Sequence, residues 1–327
     1  MINGTSVMTG ISAIACAEAA RLLSLSTRLG ALGLELVAAF NDGISETLHS
    51  VRPHAGQIKI AKSLRSLLSS SRLLRNRHAL DHNGDTKNDY ETQEIPEDVQ
   101  EVYSLRCIPQ ILGPALETLL KVRKTVEIEM NSVSDNPVVD WRSKKFLHGG
   151  NFHGDVVAVA IDQLKASLVK ITMLSERQIN FFLNRKINRM FPPFLNMKKP
   201  GLNLALQGLQ FVATSTTAQS QSLAFPHNVH SISTNGDNQD VVSMGADAAL
   251  MASKVVENLG IVLAIEAVTL AQAVDIRDVK DRISRESRKL YELVRTVVLP
   301  ITEDRSLTPE LHKLIELFKH DRSLKLT

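Results

Sequence analysis

A chain of 327 residues, 43% of them hydrophobic and 22% charged, can bury a large core in one or two domains. Its formal net charge of +3 argues against nucleic acid or a membrane surface as partner. Aromatic residues make up only 4%, which favours aliphatic helix packing. The two cysteines, Cys16 and Cys107, form no CxxC pair and fit a reduced, cytoplasmic setting without disulfides or zinc.

Met1-Ile2-Asn3-Gly4-Thr5 has no basic region followed by an apolar run, so it does not read as a signal peptide. No uninterrupted apolar stretch approaches about 18 residues, so no membrane span is expected. Residues 6–25 are rich in Ala and Leu and predict a buried helix. Further apolar segments run over 29–40 and 44–75. Residues 76–100 are polar and acidic, and carry the turn and helix-start signals Asn83-Gly84-Asp85 and Ile95-Pro96-Glu97-Asp98. They read as a loop. A helix is predicted over 108–130, then loops at 131–137 and 146–152.

Val157, Ile161, Leu164, Leu168 and Ile171 step by four and three, which puts them on one helical stripe. Pro192-Pro193 must end or kink any helix that reaches it. Met244, Ala248, Met251, Val255, Leu259 and Val262 mark another long helix, and two amphipathic segments follow at 279–298 and 309–320. Strand signals are few. The fold class is all-α: long, near-parallel helices in a bundle, completed by other subunits.

Four polar clusters interrupt this scaffold, and long helices can bring them to one level. Tyr103 and Arg106 share a face at i, i+3, beside Gln100. A guanidinium holds a carboxylate through two hydrogen bonds, and a phenol relays a proton; the plainer reading is a surface pair. Asn3 stands before an apolar helix, where an N-cap role is the plainer reading. Gly149-Gly150-Asn151-Phe152-His153-Gly154 is either a tight turn or a close approach to a ligand. Asn235-Gly236-Asp237-Asn238-Gln239-Asp240 opens a helix, with Asp237 or Asn238 as possible caps. His148 and His153 lack a ligand-like spacing, so no metal is expected. The basic residues from Arg65 to Arg77 read as a solvated helix end. No Gly-x-Ser-x-Gly, P-loop or GxGxxG is present.

These stretches, with Tyr103-Ser104-Leu105-Arg106-Cys107-x-Pro109-Gln110, Pro53-His54-x-Gly56-Gln57, Asn131-Ser132-Val133-Ser134-Asp135-Asn136-Pro137 and Pro200-Gly201-Leu202-Asn203, resemble the aromatic amino acid ammonia-lyase family. That family includes histidine, phenylalanine and tyrosine ammonia-lyases and related aminomutases. The resemblance implies elimination of ammonia from an aromatic L-amino acid by a methylidene-imidazolone electrophile made from an internal Ala-Ser-Gly. It gives Arg106 the substrate carboxylate, Tyr103 a phenolic acid/base role, and Asn3 a place facing the electrophile. Phe152 becomes an aromatic wall, with Asn151 a weaker candidate. Gln100, Gln239 and Asn235 become substrate-side amides. Gln239 stands where histidine-specific members tend to carry Glu and phenylalanine-specific members Gln. A homotetramer is also implied.

No Ala-Ser-Gly occurs in the sequence. The expected organisation is a central bundle part over 1–275 and a C-terminal helical segment over 276–327, with the electrophile-bearing N-terminal domain absent. Three functions are compatible: part of a lyase completed by a separate polypeptide, a non-catalytic scaffold or ligand-binding subunit, or an aminomutase component. The isolated chain is expected to be inactive.

Overall fold

Residues Gly245–Arg277 form one helix that neighbours cover on nearly every side over its second half: Leu259, Val262, Leu263, Ile265, Leu270 and Ala273 have no exposed surface. A helix that is apolar all round is stable only when surrounded. Frequent alanines (Ala248, Ala249, Ala252, Ala264, Ala271) let its neighbours approach closely. The computed structural model describes residues 3–77, 100–199 and 201–321. The turn signals at 83–85 and 95–98, and Pro200, lie outside the described residues.

The described helices are α1 (Ser6–Leu36), α2 (Glu46–Ser50), α3 (Ala55–Leu67), α4 (Tyr103–Arg106), α5 (Ile108–Met130), α6 (Asp155–Leu183), α7 (Arg185–Asn188), α8 (Gln207–Leu223), α9 (Gly245–Arg277), α10 (Arg285–Arg295) and α11 (Thr308–His320). A two-stranded antiparallel hairpin, β1 (Val138–Asp140) and β2 (Lys145–Leu147), pairs Val139 with Phe146. The class is all-α, as expected.

Side-chain contacts fix the helix directions. Met8 lies against both Gly154 and Gly245, so α1, α6 and α9 start together. Arg277 Nη1 donates to Leu36 O (2.5 Å), so α1 and α9 also end together. α5 runs the other way: Ile108 packs on Gly30, near the end of α1, while Glu129 accepts from Thr5 Oγ1 (2.5 Å) at its start. α8 is antiparallel to α6 and α9. Gln210 reaches Asn180 (3.1 Å), Thr214 reaches Glu176 (3.2 Å), and Asn258 reaches Gln219 (2.9 Å). The α3–α5 crossing needs two glycines, because a Cβ on Gly56 would collide with Gly113 O.

Several polar groups inside the bundle are paired. Thr27, Thr172 and Thr269 donate to the carbonyls four residues back (2.9, 3.0 and 2.8 Å). Gln272 exchanges two hydrogen bonds with the backbone of Ile301 (2.9 and 3.0 Å), docking the segment before α11 onto α9. Asp275 accepts from Tyr291 Oη (2.6 Å) and pairs with Arg295, which docks α10.

Several sequence expectations are corrected. Segments 6–25 and 29–40 are largely one helix, because Ser26 and Thr27 are buried and carry the helix through. The N-terminal part of α1 is not buried throughout, since Val7 and Ile14 are exposed. Segment 44–75 breaks into a 3-10 turn, α2 and α3, the last two separated at Pro53. α6 stops at Leu183, well before Pro192-Pro193. α8 has no strong sequence signal. Leu209, Ala213, Thr217 and Ser220 make its buried stripe, and packing rather than propensity holds it. Averaged over a long window, α1 and α9 are long and apolar enough to cross a membrane by length and composition. In α9 that window is 83% buried in the bundle, which accounts for its apolarity.

Candidate active site

Tyr103 and Arg106 form the single helical turn of α4. The Arg106 guanidinium lies over the Tyr103 ring, 4.6 Å from its centroid. The turn is fastened from several sides. Leu105 is buried against Gly33, the Ser104 carbonyl accepts from Gln178 Nε2 of α6 (2.6 Å), and Gly43 packs on the Arg106 backbone. The neighbouring Glu101 accepts from Phe40 N (2.9 Å). Tyr103 itself is 70% exposed, and Gln100 is also exposed. Arg106 Nε and Gln110 Oε1 are buried with no hydrogen-bond partner among the described residues. A buried, unpaired guanidinium nitrogen is costly unless a ligand or partner satisfies it.

Asn3, Phe152, Asn235 and Gln239 gather elsewhere. Asn3 is exposed just before α1, where Gly4 packs on the Ser134 carbonyl. Asn151 Nδ2 donates to Val133 O (3.2 Å) on the same 131–137 loop. His153 Nε2 lies 3.0 Å from Val241 O, which joins the loop before α6 to the loop before α9. There Asn235, Gly236 and Asp237 take left-handed conformations, and Thr234 pairs with Gln239 through backbone bonds of 3.0 and 3.3 Å. Thr234 Oγ1 also donates to Gln239 Oε1 (3.2 Å). Phe152 is 40% exposed. These side chains crown the shared starts of α1, α6 and α9, where helix dipoles leave partial positive charge.

The cap readings are not realised. Asn3 makes no cap, and Thr5 precedes α1 without a side-chain cap bond. Met244 precedes α9, while Asp237 accepts from Ser233 Oγ (2.6 Å) instead. The loop takes the place of a cap because tertiary contacts hold it. Asp162 Oδ2 of α6 accepts from His227 N, Asn228 N and Asn228 Nδ2 (2.7, 2.9 and 2.8 Å). Burial alone would raise the Asp162 carboxyl, but Lys165 (2.6 Å) and Asn228 outweigh it and hold it below the usual range.

The expectation that one chain brings all the clusters to one level is also corrected. Gln178, which holds the Tyr103 turn, lies about six helical turns along α6 from Asp155, or roughly 35 Å at 1.5 Å per residue. Gln100, Tyr103 and Arg106 therefore occupy one end of the bundle, and Asn3, Phe152, Asn235 and Gln239 the other.

Other chemistry is poorly served. Burial pushes the Cys16 thiol up to about 11, with Arg123 only partly opposing it, which disfavours the thiolate. Among the described residues no cluster of three or more His, Cys, Asp or Glu is placed to hold a metal ion. Sequence reasoning missed Gln178, and quoted Gln110 within a motif without giving it a role. Gln178 had a signal, a polar residue continuing the apolar stripe of α6 beyond Ile171.

The family profile of aromatic amino acid lyases matches residues 1–296. The chain belongs to the aromatic amino acid lyase family. A histidine ammonia-lyase from Treponema denticola is 34% identical over 326 residues, covering 100% of this chain and 60% of the relative. A MIO-dependent tyrosine 2,3-aminomutase from Streptomyces globisporus is 35% identical, covering 99% and 60%. The crystal structure of tyrosine aminomutase from Streptomyces globisporus superposes with a TM-score of 0.92 at 35% identity, over 97% of this chain and 61% of that one. The chain thus spans about 60% of the length of these curated family members.

Proposed function

We propose that this chain is the bundle part of an enzyme that eliminates ammonia from an aromatic L-amino acid, leaving an α,β-unsaturated acid. The observation that carries this reading is the Arg106 guanidinium, stacked on Tyr103 with its Nε buried and unpartnered, in a chain of this family. Arg106 takes the substrate carboxylate. Tyr103 hydrogen-bonds the amine and moves a proton at the leaving nitrogen. Phe152 walls the ring. Asn3, Asn235, Gln239 and Gln100 supply amide donors and acceptors. In the balance of the reaction, the Cβ–H electron pair becomes the C=C bond, the C–N pair leaves with nitrogen, and the β-proton goes to a base.

An electron-poor methylidene-imidazolone supplies the electrophile that makes the amine a leaving group. The open end of the bundle fits such a group, because exposed amides stand there at three helix N-termini that favour negative charge on its carbonyl. These 327 residues contain no Ala-Ser-Gly from which to make it.

A site that uses both ends of the bundle takes them from different copies of the chain. This supports a homo-oligomer, a tetramer by family resemblance. Exposed Val7, Ile14, Leu250, Phe211 and Val212 on α1, α9 and α8 supply apolar contact surface.

A second reading has equal sequence support: tyrosine 2,3-aminomutases match at 35% identity, as closely as histidine ammonia-lyases. An aminomutase re-adds the ammonia at the β-carbon. The test mixes this chain with L-Phe, L-Tyr or L-His, alone and with a supplied N-terminal segment carrying Ala-Ser-Gly. Ultraviolet absorbance reports the unsaturated acid, and chromatography reports a β-amino acid. Product only in the complemented mixture supports the reading. No product with a complement that binds favours a non-catalytic subunit.

A further inference from the structure

We infer that the cleft between α1, α3 and α10 binds a small phosphate-bearing molecule. The cleft has a volume of about 420 Å³, within the roughly 300–1,000 Å³ usual for metabolite sites. Ile60, Leu67 and Leu116 supply its apolar lining. Its walls are hydroxyls and cations. Ser24 and Thr27 come from α1, Ser63 and Ser66 from α3, and Ser69 and Ser70 from the turn that follows.

The charge is unbalanced. Arg28, Lys59 and Arg285 line the cleft against one carboxylate, Glu286. That carboxylate is already engaged by Arg28 (3.1 Å) and Lys289 (2.6 Å). Among the described residues the side chains of Lys59 and Arg285 have no ion-pair partner, and the Ser63 and Ser66 hydroxyls make no hydrogen bond. The start of α10 is not what attracts the ligand. Its first amides are occupied, Arg285 N by Ser70 Oγ (2.9 Å) and Ser287 N by Ser284 Oγ (3.2 Å). Ser70 accepts that bond, which leaves its own proton to donate.

Two uncompensated cations and several hydroxyls on different walls suit a tetrahedral dianion, whose oxygens point in several directions. A planar carboxylate uses a single fork. The apolar lining takes the organic part of a phosphomonoester. None of the residues proposed for ammonia elimination lines this cleft, so the inference stands apart from that reading.

The test titrates the full chain with inorganic phosphate, following heat by calorimetry and the thermal midpoint, with potassium chloride at matched ionic strength as control. Saturable one-to-one binding and a midpoint that climbs with phosphate are expected, with no such effect from chloride. Lys59→Met combined with Arg285→Met should raise the phosphate Kd by about tenfold or more. Both side chains are exposed, so the fold is retained. Ser63→Val fills the cleft without changing charge and should also weaken binding. Lys254→Met, at a surface ion pair away from the cleft, should not. An equal midpoint shift from chloride would mean general ionic screening and overturn the proposal. So would unchanged binding in the double variant, or succinate binding more tightly than phosphate.

Discussion

At one end of the long helices, Tyr103 and Arg106 ride on a turn pinned by Gln178, Leu105 and Gly43. At the other, Asn3, Phe152 and Gln239 ride on exposed loops joined by a few hydrogen bonds. The first end is organised within one chain. The second is open, with apolar side chains such as Phe152, Ile232 and Val241 facing solvent. Motifs equally legible in the sequence can thus differ widely in how they are held in the fold. The pinned end rests on buried contacts between distant elements, whereas the open end is held by loop hydrogen bonds alone.

The largest effect should come from separating the two ends genetically. In the completed enzyme, Arg106→Ala should lower kcat/KM by about a hundredfold or more, through loss of a charge-assisted carboxylate contact. Phe152→Ala should also impair turnover. Mixing the two variant chains and allowing exchange should restore part of the activity, since some sites then draw both intact ends from different copies. No recovery after verified exchange would break the claim that the ends belong to different chains in one site.

Asp162 sharpens the contrast from the open side. Asp162→Asn leaves Lys165 buried without its counter-charge and loosens the 225–228 loop, at about 3–5 kcal/mol. Hydrogen exchange should rise across 225–243 while 101–107 keeps its protection. Equal loosening at both ends would show that they are one cooperative unit.

Between the ends lies Glu266, fully buried and bonded to Ser175 Oγ. Burial pushes its carboxyl up to about 8, with Ser175 only partly opposing. Between pH 4.5 and 8 the unfolded chain has lost this proton and the folded chain keeps it. Stability therefore falls as pH rises through that window, by on the order of 3 kcal/mol at pH 7. Glu266→Gln should remove this slope in urea unfolding at a series of pH values; an unchanged slope would assign it to other groups.

The smallest effect is expected at the pinned side. Gly56→Val forces α3 away from α5, at about 2 kcal/mol. Denaturant midpoints should fall, and protection around 101–113 should weaken before that of the open loops. An unperturbed midpoint would mean that the crossing relaxes freely.

Much of this was legible in the sequence. The stripe from Val157 to Ile171 and the run from Met244 to Val262 located α6 and α9, because apolar spacing at 3.6 residues leaves few alternatives. Tyr103 and Arg106 were placed on one helical turn because they stand three residues apart where a polar segment gives way to an apolar helix. α8 was not legible. Its Gln, Ser and Thr residues carry little periodic contrast, and only the neighbouring faces of α6 and α9 make it a helix. Asn3 and Asp237 looked like caps from local chemistry, but tertiary contacts supply the turns instead.

The all-α class and the family were readable from the chain alone, since they follow from local periodicity and the order of motifs. Only the tertiary structure decided that α1, α6 and α9 share a start around Met8, and that the motifs divide between opposite ends. Helix direction and the meeting of distant segments depend on contacts between residues far apart in the chain. A glycine that admits Met8, or a Gln178 that holds Ser104, has no local pattern that names its partner.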